Sequence, residues 1–342
     1  MDAFAKLPAA EREVYFVEAG ARMGLPPHII EKDFWVCWTL RRVFALKCLK
    51  GNVLFKGGTS LSKVHKLIER FSEDVDLSIH RSSLGFEGAT DPANPELSGK
   101  QSRKQSEALS VAAQKKVEGE VLLELRAAIA AELGAADWSL EMDSTDPDGQ
   151  SLAFVYPPTG ATLAANDYIR SAVKVEFGAR SDHWPAITKT VTPYMSEVLQ
   201  DQFEKPGVVV KAMDAPRTFW EKATILHQMA HLPEEKIFPP RYSRHYCDLA
   251  NMIQAGVGDA AAADTDLLAA VVQHKMTFYR CAWASYETAV RGTLQLIPDE
   301  PRLAELSVDL DSMAEMFFRK APKIDDVVAT LRDWQDAFNQ TN

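Results

Sequence analysis

The chain has 342 residues, 46% of them hydrophobic and 25% charged. That composition excludes a mostly disordered polypeptide, and the length allows two domains. With 38 Lys+Arg against 48 Asp+Glu the formal net charge is −10, which argues against a general polyanion binder but suits a protein holding clustered carboxylates.

No apolar run reaches the roughly 18 residues a spanning helix needs. The acid-bearing start MDAFAKLPAAEREVYF has no apolar stretch of the signal-peptide kind. A cytoplasmic protein without a membrane partner is expected. Cys37, Cys48, Cys247 and Cys281 form no CxxC pair and read as free thiols.

Apolar spacing predicts helices over 10–23 and 31–46. The second, EKDFWVCWTLRRVFAL, is apolar on nearly all sides after its first three residues, which predicts a buried helix. Asn52–Phe55 reads as a short strand ending at Lys56-Gly57-Gly58, a turn, after which Thr59 or Ser60 can cap a helix running to about Glu69. Asp74–Ile79 alternates polar and apolar residues, the pattern of a half-buried strand. A loop at 81–100 leads into a long helix over 101–133 with a basic start. Strands are predicted at 138–143, 151–156 and 169–177, with Asp146-Pro147-Asp148-Gly149 as a hairpin-like turn. Helices dominate afterwards, at 217–231, 243–255, 263–288, 301–319 and 324–338. The expected division is 1–210, mixed α/β, and 211–342, helical.

Residues 56–77 carry the chemistry. Asp74 and Asp76 lie two apart on one strand and so project to the same side, about 6–7 Å apart. They repel each other unless a cation lies between them, and Mg²⁺ with phosphate oxygens and water is the natural occupant. The strand–Gly-Gly–helix turn brings backbone N–H groups and a helix N-terminus to the same end, a phosphate cradle. Together these are the equipment of phosphoryl or nucleotidyl transfer. Elsewhere, His227 and His231 are spaced i,i+4 but lack the glutamate of HExxH, and no GxxxxGK[ST] or GxSxG occurs.

Strand, Gly-Gly-Thr-Ser, helix and Asp-x-Asp resemble the signature of the DNA polymerase β-like nucleotidyltransferase superfamily. The fuller text FKGGTSLSKVHKLIERFSEDVDLSI, with the lead-in EKDFWVCWTL, more closely resembles the AbiEii/AbiGii-type nucleotidyltransferase toxins. Shorter later matches are KVEFGAR at 174–180, Glu221-Lys222, and RHYCDL at 244–249. The resemblance implies an α+β fold: a polymerase β-like mixed sheet with flanking helices, followed by a helical C-terminal domain. It implies an NTP-dependent, pyrophosphate-releasing enzyme using Mg²⁺ or Mn²⁺. Its acceptor would be RNA, such as a tRNA 3′ end, and its partner a cognate antitoxin in a toxin–antitoxin or phage-defence system.

By the same resemblance Asp74 and Asp76 hold the metal. Gly57, Gly58, Thr59, Ser60 and Ser72 meet the nucleotide phosphates, the alternative for Ser72 being a hydroxyl that caps a turn. Glu176 is the candidate third acid, as metal ligand or general base; its rival is a structural ion pair with Lys174 or Arg180. Lys222 would meet the triphosphate as a point charge, the alternative being a solvated helix lysine. Asp248 belongs to the family's catalytic set and is the other candidate base, against an i,i+4 pair with Arg244. Lys56 and Lys63 read as surface lysines, the alternative being added positive charge at the phosphates. Two alternatives stand beside RNA nucleotidylation: transfer to a small-molecule or protein hydroxyl, and a nucleotide-binding interaction protein without turnover.

Overall fold

The computed structural model describes residues 1–160, 171–203 and 206–340. Ile169 and Arg170, where the predicted strand over 169–177 begins, lie outside the described residues. The chain divides into two compact units. The first comprises Met1–Val64, Phe71–Asp91 and Gln105–Ala212, and the second His65–Arg70, Pro92–Lys104 and Met213–Asn342.

In the first unit, short helices α1 (Asp2–Ala5) and α2 (Ala9–Met23) precede α3 (Pro27–Ala45). Pro27 in the first turn suits a helix start, because its missing N–H has no intrahelical partner to lose. Apolar residues around most of α3 bury it almost entirely. Trp35 stacks on Tyr156 with ring centroids 5.4 Å apart, and Trp38 on Phe154 at 5.7 Å. Strands β1 (Val53–Lys56), β2 (Val75–Ile79), β3 (Ser139–Met142), β4 (Ser151–Val155), β5 (Ala172–Gly178), β6 (Ala186–Val191) and β7 (Val208–Met213) form one sheet in the order β3-β4-β5-β2-β1-β7-β6. β1 runs antiparallel to β2 and parallel to β7, and β2 runs parallel to β5. The α+β expectation, a mixed sheet with flanking helices, holds.

Alternation sorts the two faces of the sheet. Val75, Leu77, Val173, Val175 and Phe177 are buried in the core, while Lys56, Asp76 and Glu176 stand in register across β1, β2 and β5 on the opposite face.

Several boundaries differ from the sequence reading. The helix after the glycine turn, α4 (Gly57–Lys63), starts before Thr59 and ends well short of Glu69, because residues 65–70 join the second unit. There the Arg70 backbone bridges to Phe317 and His65 Nε2 bonds the Met213 carbonyl at 2.9 Å. The long helix is α5 (Gly99–Lys116) and α6 (Leu122–Leu133) joined by a π-helical turn at Val117–Val121. Strands β6 and β7 were not predicted.

After α7 (Met195–Val198) the second unit is helical: α8 (Ala215–Ala230), α9 (Ser243–Gln254), α10 (Val257–Ala262), α11 (Thr265–Phe278), α12 (Glu300–Ser312) and α13 (Ile324–Gln340). Asp214, Asp264 and Asp299 cap α8, α11 and α12 by accepting backbone N–H bonds. The predicted helix over 263–288 ends at Phe278 and that over 301–319 at Ser312. Phe219, Trp220, Trp334 and Phe338 form the aromatic centre, with Trp334 and Phe338 stacked at 5.1 Å. All four cysteines are free thiols, and no described helix is long and apolar enough to cross a membrane.

Candidate functional site

Gly57 links β1 to α4 with φ +75°, a conformation that side-chain-bearing residues rarely adopt. A Cβ at Gly57 would fall 2.0 Å from Asp76 Oδ2. The glycine therefore serves twice, making the turn and letting the backbone approach the carboxylate. Asp76 faces Lys56 on one side and Glu176 on the other in the sheet register. Asp74 lies one residue ahead of β2, where no strand partner holds it.

Thr59 supplies the missing support. Fully buried in α4, it places its hydroxyl against the Asp74 carbonyl oxygen, to which it donates, and 3.0 Å from Ser72 Oγ. Thr59 thus sits inside α4 rather than at its cap. Ser60 is also buried, while Gly58 is half-buried. Ser72 precedes β2, so it does not share a strand face with Asp74.

Burial and the neighbouring carboxylates of Glu73, Asp76 and Glu176 push the Asp74 carboxyl up to about 7, with Lys32 opposing. Glu176 pairs with Lys174 at 2.6 Å and leaves its side chain 40% exposed. Lys174 also lies 3.6 Å from Asp143.

The donors at this centre are carboxylate oxygens, which match a hard cation. Among the described residues no three His, Cys, Asp or Glu side chains are gathered into a metal-enclosing group. Mg²⁺ does not need one, since it keeps water and phosphate oxygens and takes one or two carboxylates from the protein. Asp74 and Asp76 fit that demand. A cation would relieve the crowding of negative charge that holds the Asp74 proton.

Lys222 and Asp248 belong to the second unit. Arg70 grips Asp248 with two bonds, Nε to Oδ1 and Nη2 to Oδ2, both 2.8 Å. Lys222 Nζ donates to Asp248 Oδ2 at 2.8 Å and lies 3.3 Å from His245 Nδ1. All three charged side chains are buried. Burial alone would raise the Asp248 carboxyl, but Arg70 and Lys222 hold it well below the usual carboxylate range. Burial also lowers the Lys222 ammonium and, with the adjacent cations, keeps the His245 ring neutral. Lys222 is therefore no solvated helix lysine, and the partners of Asp248 are Arg70 and Lys222 rather than Arg244.

Other charged residues went unsuspected in the sequence. Lys63, read as a surface lysine, is buried and donates to Asp33 at 2.6 Å. Asp33 also accepts from the Tyr194 N–H at 2.6 Å, and Lys63 Nζ lies 3.5 Å over the Tyr194 ring. Lys32 pairs with Glu73. One signal was available: a helix apolar on nearly all sides buries the charged residues that lead into its apolar stretch too. His227 and His231 serve the backbone. His227 bonds the Ser285 carbonyl and the Gln295 N–H, at 3.0 Å each, and His231 the His227 carbonyl at 2.8 Å.

A strand, a glycine turn against its neighbour's carboxylate, and a second carboxylate two residues away define a centre of the nucleotidyltransferase kind. The family model described as "Nucleotidyl transferase AbiEii toxin, Type IV TA system" matches residues 38–340. The chain belongs to this family of nucleotidyltransferase toxins. Among solved structures, the nucleotidyltransferase toxin MenT4 from Mycobacterium tuberculosis H37Rv is similar in fold, at 16% identity and a TM-score of 0.51, over 96% of this chain and 90% of that one. No curated protein matches the chain.

Proposed function

We propose that the chain transfers a nucleotide from an NTP to the hydroxyl end of an RNA acceptor, such as a tRNA 3′ end, using Mg²⁺ or Mn²⁺ at Asp74 and Asp76. The observation that carries this reading is the approach of the Asp76 carboxylate to Gly57, which brings an acid and bare backbone to one point. A bound divalent cation supplies neutralisation of the triphosphate and of the departing pyrophosphate.

Asp74 and Asp76 provide the oxygen donors. Gly57, Gly58 and Ser60 present the backbone of the turn to the phosphates, while Thr59 and Ser72 hold the peptide that carries Asp74. Within the second unit Asp248 orients Lys222, the residue that the family resemblance assigns to the triphosphate. Because Arg70 and Lys222 hold the Asp248 carboxylate in its ionised form, Asp248 suits orientation better than proton acceptance. Glu176, in register with Asp76 and part-exposed, is the better candidate for a third metal donor or for the base that takes the hydroxyl proton. A cognate antitoxin, and a role in phage defence, complete the reading.

The test is incubation with each radiolabelled NTP, Mg²⁺ and total RNA. Label in a defined RNA, lost in Asp74→Asn, supports it. Label on protein or on a small molecule favours the alternative acceptors, and no transfer from any NTP overturns the reading.

A further inference from the structure

Three consecutive charged residues lie in the second turn of α3, and all are buried: Glu31 at 0% exposure, Lys32 at 3% and Asp33 at 2%. Each reaches a different segment of the first unit. Glu31 accepts from the Thr159 N–H at 3.1 Å and from its hydroxyl at 2.5 Å. Asp33 holds Lys63 and the Tyr194 N–H. Lys32 donates to Glu73, the residue immediately before Asp74.

Taking an ammonium out of water is costly, and a buried ion pair is often no more stabilising than apolar residues of similar volume. Stability alone is therefore a weak reason for a lysine here. The position of its partner gives a better one. Residues 72–74 precede β2 and have no sheet partner to place them. Thr59 in α4 ties down Ser72 and the Asp74 carbonyl, and Lys32 in α3 ties down Glu73 between them. Two helices thus fix three successive residues that deliver Asp74.

We propose that Lys32 is a positioning residue for nucleotidyl transfer: its buried pair with Glu73 sets the peptide leading into Asp74 and keeps the Glu73 carboxylate engaged instead of serving as a further metal donor. This rests on the metal-assisted transfer proposed above. Supporting groups behind metal ligands typically change metal affinity or activity by roughly 10–100-fold when removed.

The experiment compares wild type, Lys32→Met and Lys32→Met/Glu73→Gln for RNA labelling, melting temperature and isothermal titration with Mn²⁺ alone. In Lys32→Met the released Glu73 should leave Mn²⁺ binding as tight as in wild type or tighter, while transfer falls about 10–100-fold. The double variant removes both charges; it should melt close to wild type and still transfer at least about tenfold more slowly. Transfer at the wild-type rate in the double variant overturns the proposal, since the pair then matters only for stability. A double variant that does not fold overturns it too, by showing a structural need. An inactive wild type, or an Asp74→Asn variant as active as wild type, defeats the transfer reading itself and is thereby told apart.

Discussion

The Asp76 carboxylate occupies the space that a side chain at residue 57 would need, and Gly57 holds φ +75° there. Gly57→Ala must both adopt a strained backbone and displace the carboxylate. The backbone strain alone costs on the order of 1–3 kcal/mol. We expect a lowered melting temperature and a loss of transfer larger than that destabilisation explains, read by comparing the folded fraction with the RNA-labelling rate.

Asp74 makes a prediction of opposite sign for stability and activity. Its carboxyl is held up at about 7 by burial and by Glu73, Asp76 and Glu176. The folded chain thus keeps a proton that the unfolded chain releases near pH 4. Metal-free stability should fall as pH rises from about 4 to about 7 and level off above, costing a few kcal/mol in all. Mg²⁺ should return part of that stability above pH 7 and little below pH 5. Asp74→Asn should flatten the dependence and melt higher than wild type at pH 8, while transferring nothing. Melting curves across pH, with and without Mg²⁺, check each statement; a wild type indifferent to pH over this window contradicts them.

Asp248 predicts the reverse slope. Its carboxyl is depressed, with Arg70 and Lys222 outweighing burial. Its contribution is complete above about pH 4 and is lost as pH falls below that. Asp248→Ala leaves two buried cations without their shared anion and should cost about 3–5 kcal/mol. Urea unfolding at pH 7 measures this loss, and the acid-unfolding transition should move to higher pH in the variant.

Lys63 and Asp33 form another deeply buried pair, with side chains 4% and 3% exposed. Lys63→Met strands the Asp33 carboxylate beside the Tyr194 N–H and should destabilise by about 3–5 kcal/mol. Lys63→Met/Asp33→Leu should recover most of it. Denaturant midpoints of the two variants decide between these outcomes.

What the sequence disclosed follows from physics with a short range. The alternation of Asp74–Ile79 and the turn at Lys56–Gly58 are local patterns, so β1, β2 and the acid face were legible. Helices α2, α3 and α13 carry apolar periods long enough to read. Strand β6 stayed hidden because Ala186–Val191 is half-buried or exposed along most of its length and shows no apolar face. The helix after the glycine turn was drawn too long because residues 65–70 are claimed by contacts with Met213, Asp248 and Phe317, far away in sequence. The buried charges were illegible for the same reason: Lys32 finds Glu73 41 positions on, and Asp33 finds Tyr194 161 positions on.

Residues 65–70 lie in sequence between the glycine-turn helix and the acid-bearing strand, yet fold with the C-terminal helices. Neither unit is therefore a contiguous stretch of gene. A fragment cut at residue 212 would carry the Arg70 guanidinium without Asp248, and the complementary piece would carry Asp248 without Arg70. Chimaeras between relatives must exchange 65–70 and 92–104 along with the C-terminal half, and a split-protein reporter cut at the obvious junction would yield two defective halves.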